Sequence, residues 1–363
     1  MINVRSYTSE DLEISNENIL NCEGLKFYNF KSEPFRIYGL YDAQNPERDR
    51  HCRMPVEVAE KVSEGVKNLN YNLAGGRVRF TTTSNYLALK LTRNPLEQSL
   101  NFSPIARGGV DVYIRRGKVS EPIFWSVFSP TVDCSSIENL MKLPAGEKQI
   151  TLVLSNYSGL NDLFIGLDEN STLTAHPDYT VEKPVLFYGS SITQGGCPTR
   201  PGMSYENIIS RRYDVNYINL GFSGNAKGED AIIDYLAGLD FSVFVCDYDH
   251  NAPNVEHLKN THEKLYLKIR EKHPDVPVIF VTKPDFWLKW GECERRRDII
   301  YNTYINAKNR GENVIFIDGY SLFAGQNRED CTVDGCHPND LGMFRMAEVI
   351  GKAVEFALRD INV

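Results

Sequence analysis

The chain has 363 residues, of which 42% are hydrophobic and 24% charged, and its formal net charge is -8 at pH 7. This length suits two domains that each bury a core. A negatively charged chain without a dense basic run is poorly suited to neutralising phosphates, which argues against nucleic-acid binding. No window approaches ~18 continuous apolar residues, so no membrane span is expected.

The opening residues, MINVRSYTSEDLEIS, carry acidic side chains early and lack the apolar stretch of a signal peptide. This predicts that the chain stays in the cytoplasm. The pattern of the first thirty residues fits either an extended arm or a further strand.

Residues 35–175 have the pattern of short antiparallel strands. Alternating apolar and polar residues, separated by turn-forming residues, occur in RIYGLY, GRVRFTTTSNYLALKLT, VDVYIRRG, IFWSVFSP, KQITLVLSNYS and LFIGL. A sheet with one apolar face must be covered by another sheet, so we predict an all-β, jelly-roll-like sandwich over residues 1–178. One helical-looking segment, residues 55–66, interrupts it.

The pattern changes after a polar, proline-containing linker at residues 174–184. Apolar runs then alternate with helical stretches, at residues 185–188, 217–220, 241–246, 276–281 and 313–318. Runs that are apolar on both faces predict a parallel sheet between helices. We therefore predict a three-layer α/β/α, flavodoxin-like domain over residues 183–363, with catalytic groups where the strands' carboxyl ends meet the loops.

A candidate nucleophile follows the first of these strands. The strand runs directly into GSSITQGG, which puts Ser191 in a tight turn before a helix. A serine attacks only when a base takes its proton and a carboxylate orients that base. The segment DGCHPNDLG supplies both in Asp334 and His337, whose spacing suits a single turn. Asn339 is expected to cap the last helix.

Two further strand ends supply candidate hydrogen-bond donors. GFSGNAKG and DYDHNAPN follow the second and third strands, which places Gly224 and Asn251 beside the first loop. A glycine N–H and an asparagine amide can stabilise a developing oxyanion. Each motif alone occurs in many unrelated loops; acyl transfer is favoured because the loops of one sheet carry all of these groups in order.

The order Ser, Gly, Asn, His resembles the SGNH hydrolase family, also called GDSL-like esterases, over about residues 183–360. The family's G-D-S motif is matched by Gly189, Ser190 and Ser191, with serine in place of the usual aspartate. Its G-x-N-D motif appears as DHNA, and its D-x-x-H block contains Asp334 and His337.

This resemblance implies a role for each matched residue. Ser191 would attack an ester, His337 would take and return the proton, and Asp334 would orient the imidazole. The N–H groups of Ser191 and Gly224, with the Asn251 amide, would form the oxyanion hole. This chemistry needs no cofactor and no metal, so neither is expected.

The strings GSSITQGGC and DGCHPNDLGM resemble a subgroup in which a β-sandwich precedes the hydrolase domain, similar to carbohydrate acetyl esterases. The resemblance implies deacetylation of a sugar, with a small-molecule or oligosaccharide ester as partner. One alternative is a lipase or thioesterase for short acyl chains, although no amphipathic lid is apparent. The other is a non-catalytic carbohydrate-binding protein, which the presence of Ser, Asp and His together disfavours.

Three residues are candidate substrate contacts. Trp287 and Trp290, in DFWLKW, could stack on a sugar ring or pack beneath a helix. Arg200, in TRPG, could line the acyl-side entrance or lie on the solvated surface.

Two other groups have alternative interpretations. Asp247, Asp249 and His250 could be a metal cluster, but they follow one strand with diverging side chains, so bracing of the Asn251 loop is favoured. The cysteines are expected to be reduced, and Cys331 with Cys336 is the pair close enough in sequence to bridge.

Overall fold

The structure is a computed structural model that describes residues 24–47, 50–96, 101–116, 121–284 and 291–359. Strands of its first part are β1 (Leu25–Asn29), β2 (Arg36–Tyr38), β3 (Arg77–Thr82), β4 (Tyr86–Thr92), β5 (Val110–Arg115), β6 (Ile123–Phe128), β7 (Ser136–Lys142), β8 (Lys148–Val153), β9 (Asp162–Asp168) and β10 (Leu173–Thr174). Within the described residues they form two sheets, β1–β9–β4–β7 and β10–β3–β8–β5–β6, with β2 beside β3. Every pairing is antiparallel, as the alternating pattern predicts.

The two sheets share one apolar core. Val78 and Phe80 of β3 pack in the same cluster as Leu87 and Leu89 of β4, all of them fully buried. Alternate residues of each strand point inward, so the apolar faces of the two sheets cover each other. The predicted β-sandwich is thereby confirmed.

Three of the described strands lie outside the predicted runs: β1, β7 and the two-residue β10. Strand β7 was not predicted because SIENLMK mixes Ser, Glu and Asn, which are uncommon in strands, with its apolar residues. For residues 25–29 the sequence pattern allowed either an extended arm or a strand. The structure shows a strand, β1, which pairs with β9. Residues 1–23 lie outside the described part of the chain.

The predicted helical segment 55–66 is two helices, α1 (Val56–Val62) and α2 (Glu64–Leu69). They separate at Ser63, whose extended backbone ends α1 and whose hydroxyl accepts a hydrogen bond from the N–H of Val66. A further short helix, α3 (Pro104–Gly108), was not predicted. Ala59 and Val66 pack against the second part of the chain, so these helices lie between the two parts.

The second part is built on a parallel sheet of β11 (Val181–Gly189), β12 (Val215–Gly221), β13 (Val243–Asp247), β14 (Val278–Val281) and β15 (Val314–Ile317). Its order, β12–β11–β13–β14–β15, is the predicted flavodoxin-like one. Strand β11 begins at Val181, inside the segment predicted as a linker, because Val181 already pairs with Val215.

Helices α4 (Ser191–Gln194), α5 (Tyr205–Tyr213), α6 (Asp230–Gly238), α7 (Val255–Lys272), α8 (Glu292–Asn309) and α9 (Asp340–Arg359) accompany this sheet. Leu186 and Tyr188 of β11 face a layer formed by α6, α7 and α8, whereas Val185 and Phe187 face α5 and α9. Burial on both faces confirms the three-layer prediction and explains the continuous apolar runs. Among the described residues, no helix is long and apolar enough to cross a membrane.

Candidate active site

Ser191, His337 and Asp334 form a continuous hydrogen-bonded chain. Ser191 Oγ lies 2.9 Å from His337 Nε2, and His337 Nδ1 lies 2.8 Å from Asp334 Oδ2. Ser191 is 9% exposed to solvent, while the side chains of Asp334 and His337 are each 28% exposed. A nucleophile, a base and an orienting acid are thus in contact, and they are partly exposed to solvent.

The fold places Ser191 where the connections of the sheet diverge. Strand β11 has β12 on one side and β13 on the other, so the chain leaves β11 in one direction and later returns on the opposite side. Ligands bind at such a switch point because the two neighbouring loops separate there and leave a crevice. Ser191 is the second residue after β11 and begins α4.

The turn that carries Ser191 depends on a close backbone approach. A Cβ at Gly189 would overlap with Thr193 Oγ1 and the carbonyl oxygen of Asp247, so only glycine fits at this position. The hydroxyl of Ser190 accepts a hydrogen bond from the N–H of Ile192 and caps the short helix. Ser190 is thereby occupied in the turn, and Ser191 is the serine that contacts the histidine.

Asp334 and His337 lie on one loop and contact each other across three positions, as the spacing predicts. Thr332 and Pro338 pair as an antiparallel bridge, and the N–H of Val333 donates to the carbonyl of His337, which closes the loop at its base. Asn339 then caps α9 through a hydrogen bond from the N–H of Gly342 to its Oδ1, as predicted. The acid and the base are therefore held by a closed loop anchored on α9.

The charge state of Asp334 is set by this loop. Its partial burial would raise its pKa, but hydrogen bonds from the N–H and ring of His337 and from the N–H of Cys336 lower the pKa below its ordinary value. Asp334 is therefore an anion at neutral pH, and an anion is what holds Nδ1 of the base as a donor.

Two residues of the first part of the chain contact the catalytic residues, and neither was identified from the sequence pattern. Asn101 Nδ2 donates to Asp334 Oδ2 over 2.7 Å. The hydroxyl of Tyr157 donates to the carbonyl oxygen of Ser191 over 2.9 Å, and its ring packs against Phe102 at 4.6 Å between centroids. Both contacts span more than 30 residues of sequence between separate domains, so only the folded arrangement reveals them.

The predicted oxyanion donors lie on adjoining loops. Oδ1 of Asn251 accepts from the N–H of Ala226, two residues after Gly224, over 3.3 Å. The N–H of Ser223 donates to Gln194 Oε1 over 2.9 Å, which joins the Gly224 loop to the helix that starts at Ser191. Gly224 itself has φ +69, a conformation that glycine adopts readily.

Asp247 and Asp249 are buried, and both carboxylates accept hydrogen bonds that support the loop carrying Asn251. Thr193 Oγ1 donates to Asp247 Oδ2 over 3.3 Å, and the N–H of Lys283 donates to Asp249 Oδ2 over 3.1 Å. Burial raises the pKa of both carboxyl groups, most strongly that of Asp247. No group of three His, Cys, Asp or Glu side chains suited to a metal occurs in the described ranges.

Arg296 also supports the loop that carries Asn251. The sequence pattern did not identify this residue. Its guanidinium donates to the carbonyl of Asp249 over 2.7 Å and to that of Ala252 over 3.0 Å. These two carbonyls flank Asn251, so an arginine on α8 fixes the backbone that presents the amide. An arginine in a helix gives no sequence signal for such a contact.

Arg200 forms an ion pair with a buried residue of the first part of the chain. Its Nη1 lies 2.5 Å from Oδ2 of the fully buried Asp111 and 2.6 Å from the Tyr113 hydroxyl, and the guanidinium stacks on Phe124 at 3.7 Å. It is an ion-pair partner across the junction between the two parts of the chain. Trp287 and Trp290 lie outside the described residues.

Cys331 and Cys336 do not form a disulfide; both are free thiols. The Cys331 sulfur accepts from Arg345 Nη1 at 3.3 Å, whereas the Cys336 sulfur lies 3.9 Å from Nδ1 of His250. The two side chains therefore contact different partners.

Two family models match the chain. Residues 182–355 match the GDSL-like Lipase/Acylhydrolase family, and residues 25–173 match the GxDLY model, the N-terminus of SGNH hydrolase-type esterases. None of the curated proteins compared with the chain matches it.

Solved structures similar to the chain span both of its parts. A structure described as a GDSL-like lipase from Bacteroides ovatus is 27% identical, with a TM-score of 0.82 over 92% of this chain and 98% of that one. A salicylyl-acyltransferase from a tetracycline biosynthetic pathway is 18% identical (TM-score 0.74, 93% and 98%). An acetyl xylan esterase from Butyrivibrio proteoclasticus is 14% identical (TM-score 0.55, 92% and 98%). The chain belongs to the SGNH, or GDSL-like, esterase family, and carries the GxDLY-type domain before its hydrolase domain.

Proposed function

We propose that the chain hydrolyses an O-acyl ester of a carbohydrate, most simply an acetyl ester, through a covalent acyl-Ser191 intermediate. The observation that carries the catalytic part is the unbroken hydrogen-bonded chain from Ser191 through His337 to Asp334. In the first half-reaction Ser191 Oγ attacks the ester carbonyl as its proton passes to His337 Nε2. His337 then protonates the departing alcohol.

In the second half-reaction, water attacks the acyl-Ser191 ester. His337 takes a proton from that water and returns it to Ser191 Oγ as the acid leaves, which restores the starting state. Asp334 accepts the Nδ1 hydrogen bond throughout and stabilises the imidazolium form of His337. Its lowered pKa supports this role, because the carboxylate keeps its charge at neutral pH.

The tetrahedral intermediates place negative charge on the former carbonyl oxygen. We assign its stabilisation to the N–H groups of Ser191 and Gly224 and the side-chain amide of Asn251. The hydrogen bond from Ala226 to Asn251 Oδ1 supports the assignment, since it fixes the amide and leaves Nδ2 as the donor end. The brace from Arg296 keeps this loop in place.

A carbohydrate alcohol is supported by two observations. The β-sandwich part contributes Asn101 and Tyr157 as supports of Asp334 and Ser191, so it lies beside the catalytic residues, where it can frame the alcohol side of a substrate. Structures with the same two-part fold include the acetyl xylan esterase and a family two carbohydrate esterase from Clostridium thermocellum in complex with cellohexaose (15% identical, TM-score 0.57, 78% and 93%).

The test is a comparison of acetyl, butyryl and octanoyl p-nitrophenyl esters with an acetylated xylo-oligosaccharide. The proposal predicts that turnover falls with acyl length and that acetate is released from the oligosaccharide. Turnover that rises towards octanoate would favour a lipase, the second candidate, which the likeness to the GDSL-like lipase supports. Glycan binding without hydrolysis of any ester would favour a binding protein.

A further inference from the structure

The loop that carries Gly224 packs against helices of the β-sandwich part. Residues 222–226, which we call the oxyanion loop, form a tight turn after β12, in which the N–H groups of Asn225 and Ala226 donate to the carbonyl of Phe222 over 2.8 and 3.1 Å. Phe222 and Ala226 are fully buried in one apolar cluster with residues of α1 and α2. Gly224 is exposed. The oxyanion loop and the two helices of the sandwich part therefore share a core.

Arg53 joins the start of the oxyanion loop to the end of α2. It is 2% exposed, and Nη1 donates to the carbonyls of Gly221 over 2.5 Å and of Asn219 over 3.4 Å. Nη2 donates to the carbonyl of Leu69, the last residue of α2, over 2.7 Å. The guanidinium also stacks on the Phe222 ring, 4.4 Å from its centroid. Because a guanidinium holds its donors in one rigid plane, Arg53 fixes the end of β12 relative to α2.

Gly65 of α2 leaves room for the side chain of Asn225. A Cβ at Gly65 would overlap with the Asn225 amide, including its Oδ1. That amide is itself held in place, because Nδ2 donates to the carbonyl of Ser223 over 2.7 Å and so braces the turn at Gly224. Glycine is less favourable than alanine in a helix, and the close approach of Asn225 is a physical reason for glycine at this position.

We propose that Arg53 and Gly65 are positioning residues of the esterase reaction, which hold the oxyanion loop so that the N–H of Gly224 meets the developing oxyanion. This rests on the proposed function, which assigns Gly224 to the oxyanion hole. A donor stabilises the oxyanion only if it is correctly placed before the reaction begins. Gly224 has φ +69 and little restriction of its own, so its neighbours must set the direction of its N–H. The β-sandwich part thus acts on the transition state through this loop.

Steady-state kinetics of Gly65→Ala on p-nitrophenyl acetate is the first test. The added methyl must displace the Asn225 amide, so kcat should fall by about tenfold or more with KM unchanged. Gly238→Ala is the matched control, because Gly238 ends α6 and a Cβ there would contact no other part of the described chain within 4 Å. It should leave kcat unchanged. Wild-type kcat in Gly65→Ala, or a change in KM alone, overturns the proposal.

A double-mutant cycle tests whether the effect of Gly65→Ala passes through Asn225. Asn225→Ala removes the amide that the new methyl displaces, so the double variant should be no slower than Asn225→Ala alone. Additive losses in the two single variants would overturn the proposal. Because p-nitrophenyl acetate contains no sugar, these ratios of kcat are independent of the carbohydrate substrate, whose failure would appear instead as a preference of the wild type for another ester.

Arg53→Lys tests the other contact. Lysine keeps the charge but not the planar set of donors, so kcat should again fall by about tenfold or more. Arg270→Lys is its matched control: Arg270 is 8% exposed and also donates to three backbone carbonyls, which precede β14 and β15 at the opposite edge of the sheet. It should lower thermal stability and leave kcat unchanged. Thermal unfolding followed by circular dichroism checks each fold. Unchanged kcat in Arg53→Lys overturns the proposal even if Gly65→Ala does not fold.

Discussion

Asn101 and His337 donate hydrogen bonds to the same oxygen, Oδ2 of Asp334, over 2.7 and 2.8 Å. Asn101 belongs to the β-sandwich part and lies 233 positions from the acid in sequence. The carboxylate that orients the catalytic base is therefore itself oriented from another domain. Asn101 acts on the reaction through Asp334, as a positioning residue.

Loss of this contact should slow the chemical step. Asn101→Ala removes one hydrogen bond to a charged acceptor at a partly exposed position, so we expect kcat to fall roughly fivefold, about 1 kcal/mol, with KM unchanged. Asn101→Asp should be worse, because a second negative charge then faces Asp334. Steady-state kinetics on p-nitrophenyl acetate measures both. The control is Asn68→Ala, an exposed asparagine of α2; an equal effect there, or a change in KM alone, would contradict the positioning role.

Asn251→Ala should lower turnover strongly without unfolding the protein. Removal of one oxyanion donor typically costs about 3 kcal/mol of transition-state stabilisation, or roughly a hundredfold in kcat. Asn254→Ala is the control, because Asn254 has a structural role: its side chain caps α7 by accepting a hydrogen bond from the N–H of His257. It should cost about 1 kcal/mol of stability and leave kcat unchanged. Unchanged turnover in Asn251→Ala would remove that residue from the oxyanion hole.

Arg200→Ala should destabilise the fold rather than alter substrate preference. Burial raises the pKa of Asp111 even with Arg200 beside it, so removal of the arginine leaves a fully buried carboxyl group without its ion-pair partner. We expect the free energy of unfolding to fall by about 3 kcal/mol. Adding Asp111→Asn should recover part of this loss. Normal stability with a changed preference among acyl chains would instead identify Arg200 as a substrate contact.

His176 should make the protein less stable in mild acid. Burial, with repulsion from Arg79, lowers its pKa from 6.5 to about 4. Between these values the unfolded chain binds a proton that the folded chain does not, so stability is full above about pH 6.5 and is lost as pH falls towards 4. The maximum contribution is roughly 3 kcal/mol. Urea unfolding of wild type and His176→Gln from about pH 7 to about pH 4 tests this: the wild type should lose more stability, and parallel losses would contradict it.

The pattern of apolar and polar residues within single segments was sufficient to predict the parallel strands. The runs around Val185 and Val245 are apolar on both faces because helices cover both sides of the sheet, so they predict parallel strands. Ser191, Asp334 and His337 could be identified as candidates because each lies in a loop at the same edge of the predicted sheet. The side chains that support them gave no such signal.

The contacts that the sequence did not predict join residues that are far apart in the chain. Asn101, Tyr157 and Arg296 are ordinary residues in their own segments, and each gains its role by meeting a loop that is distant in sequence. The ion pair of Arg200 was not predicted for the same reason, since its partner Asp111 lies 89 positions earlier. Pairing between domains depends on how two surfaces meet, and the pattern of one segment does not contain that information.

The most direct test of the account is covalent trapping of the nucleophile with a fluorophosphonate, followed by peptide mass spectrometry. Wild type, Ser191→Ala, His337→Ala and Ser190→Ala are compared, the last as the matched neighbour whose hydroxyl caps the turn. We predict that the label lies on Ser191, is absent from Ser191→Ala, forms much more slowly in His337→Ala and persists in Ser190→Ala. A label on Ser190, or undiminished labelling of Ser191→Ala, would contradict the assignment of Ser191 as the activated nucleophile.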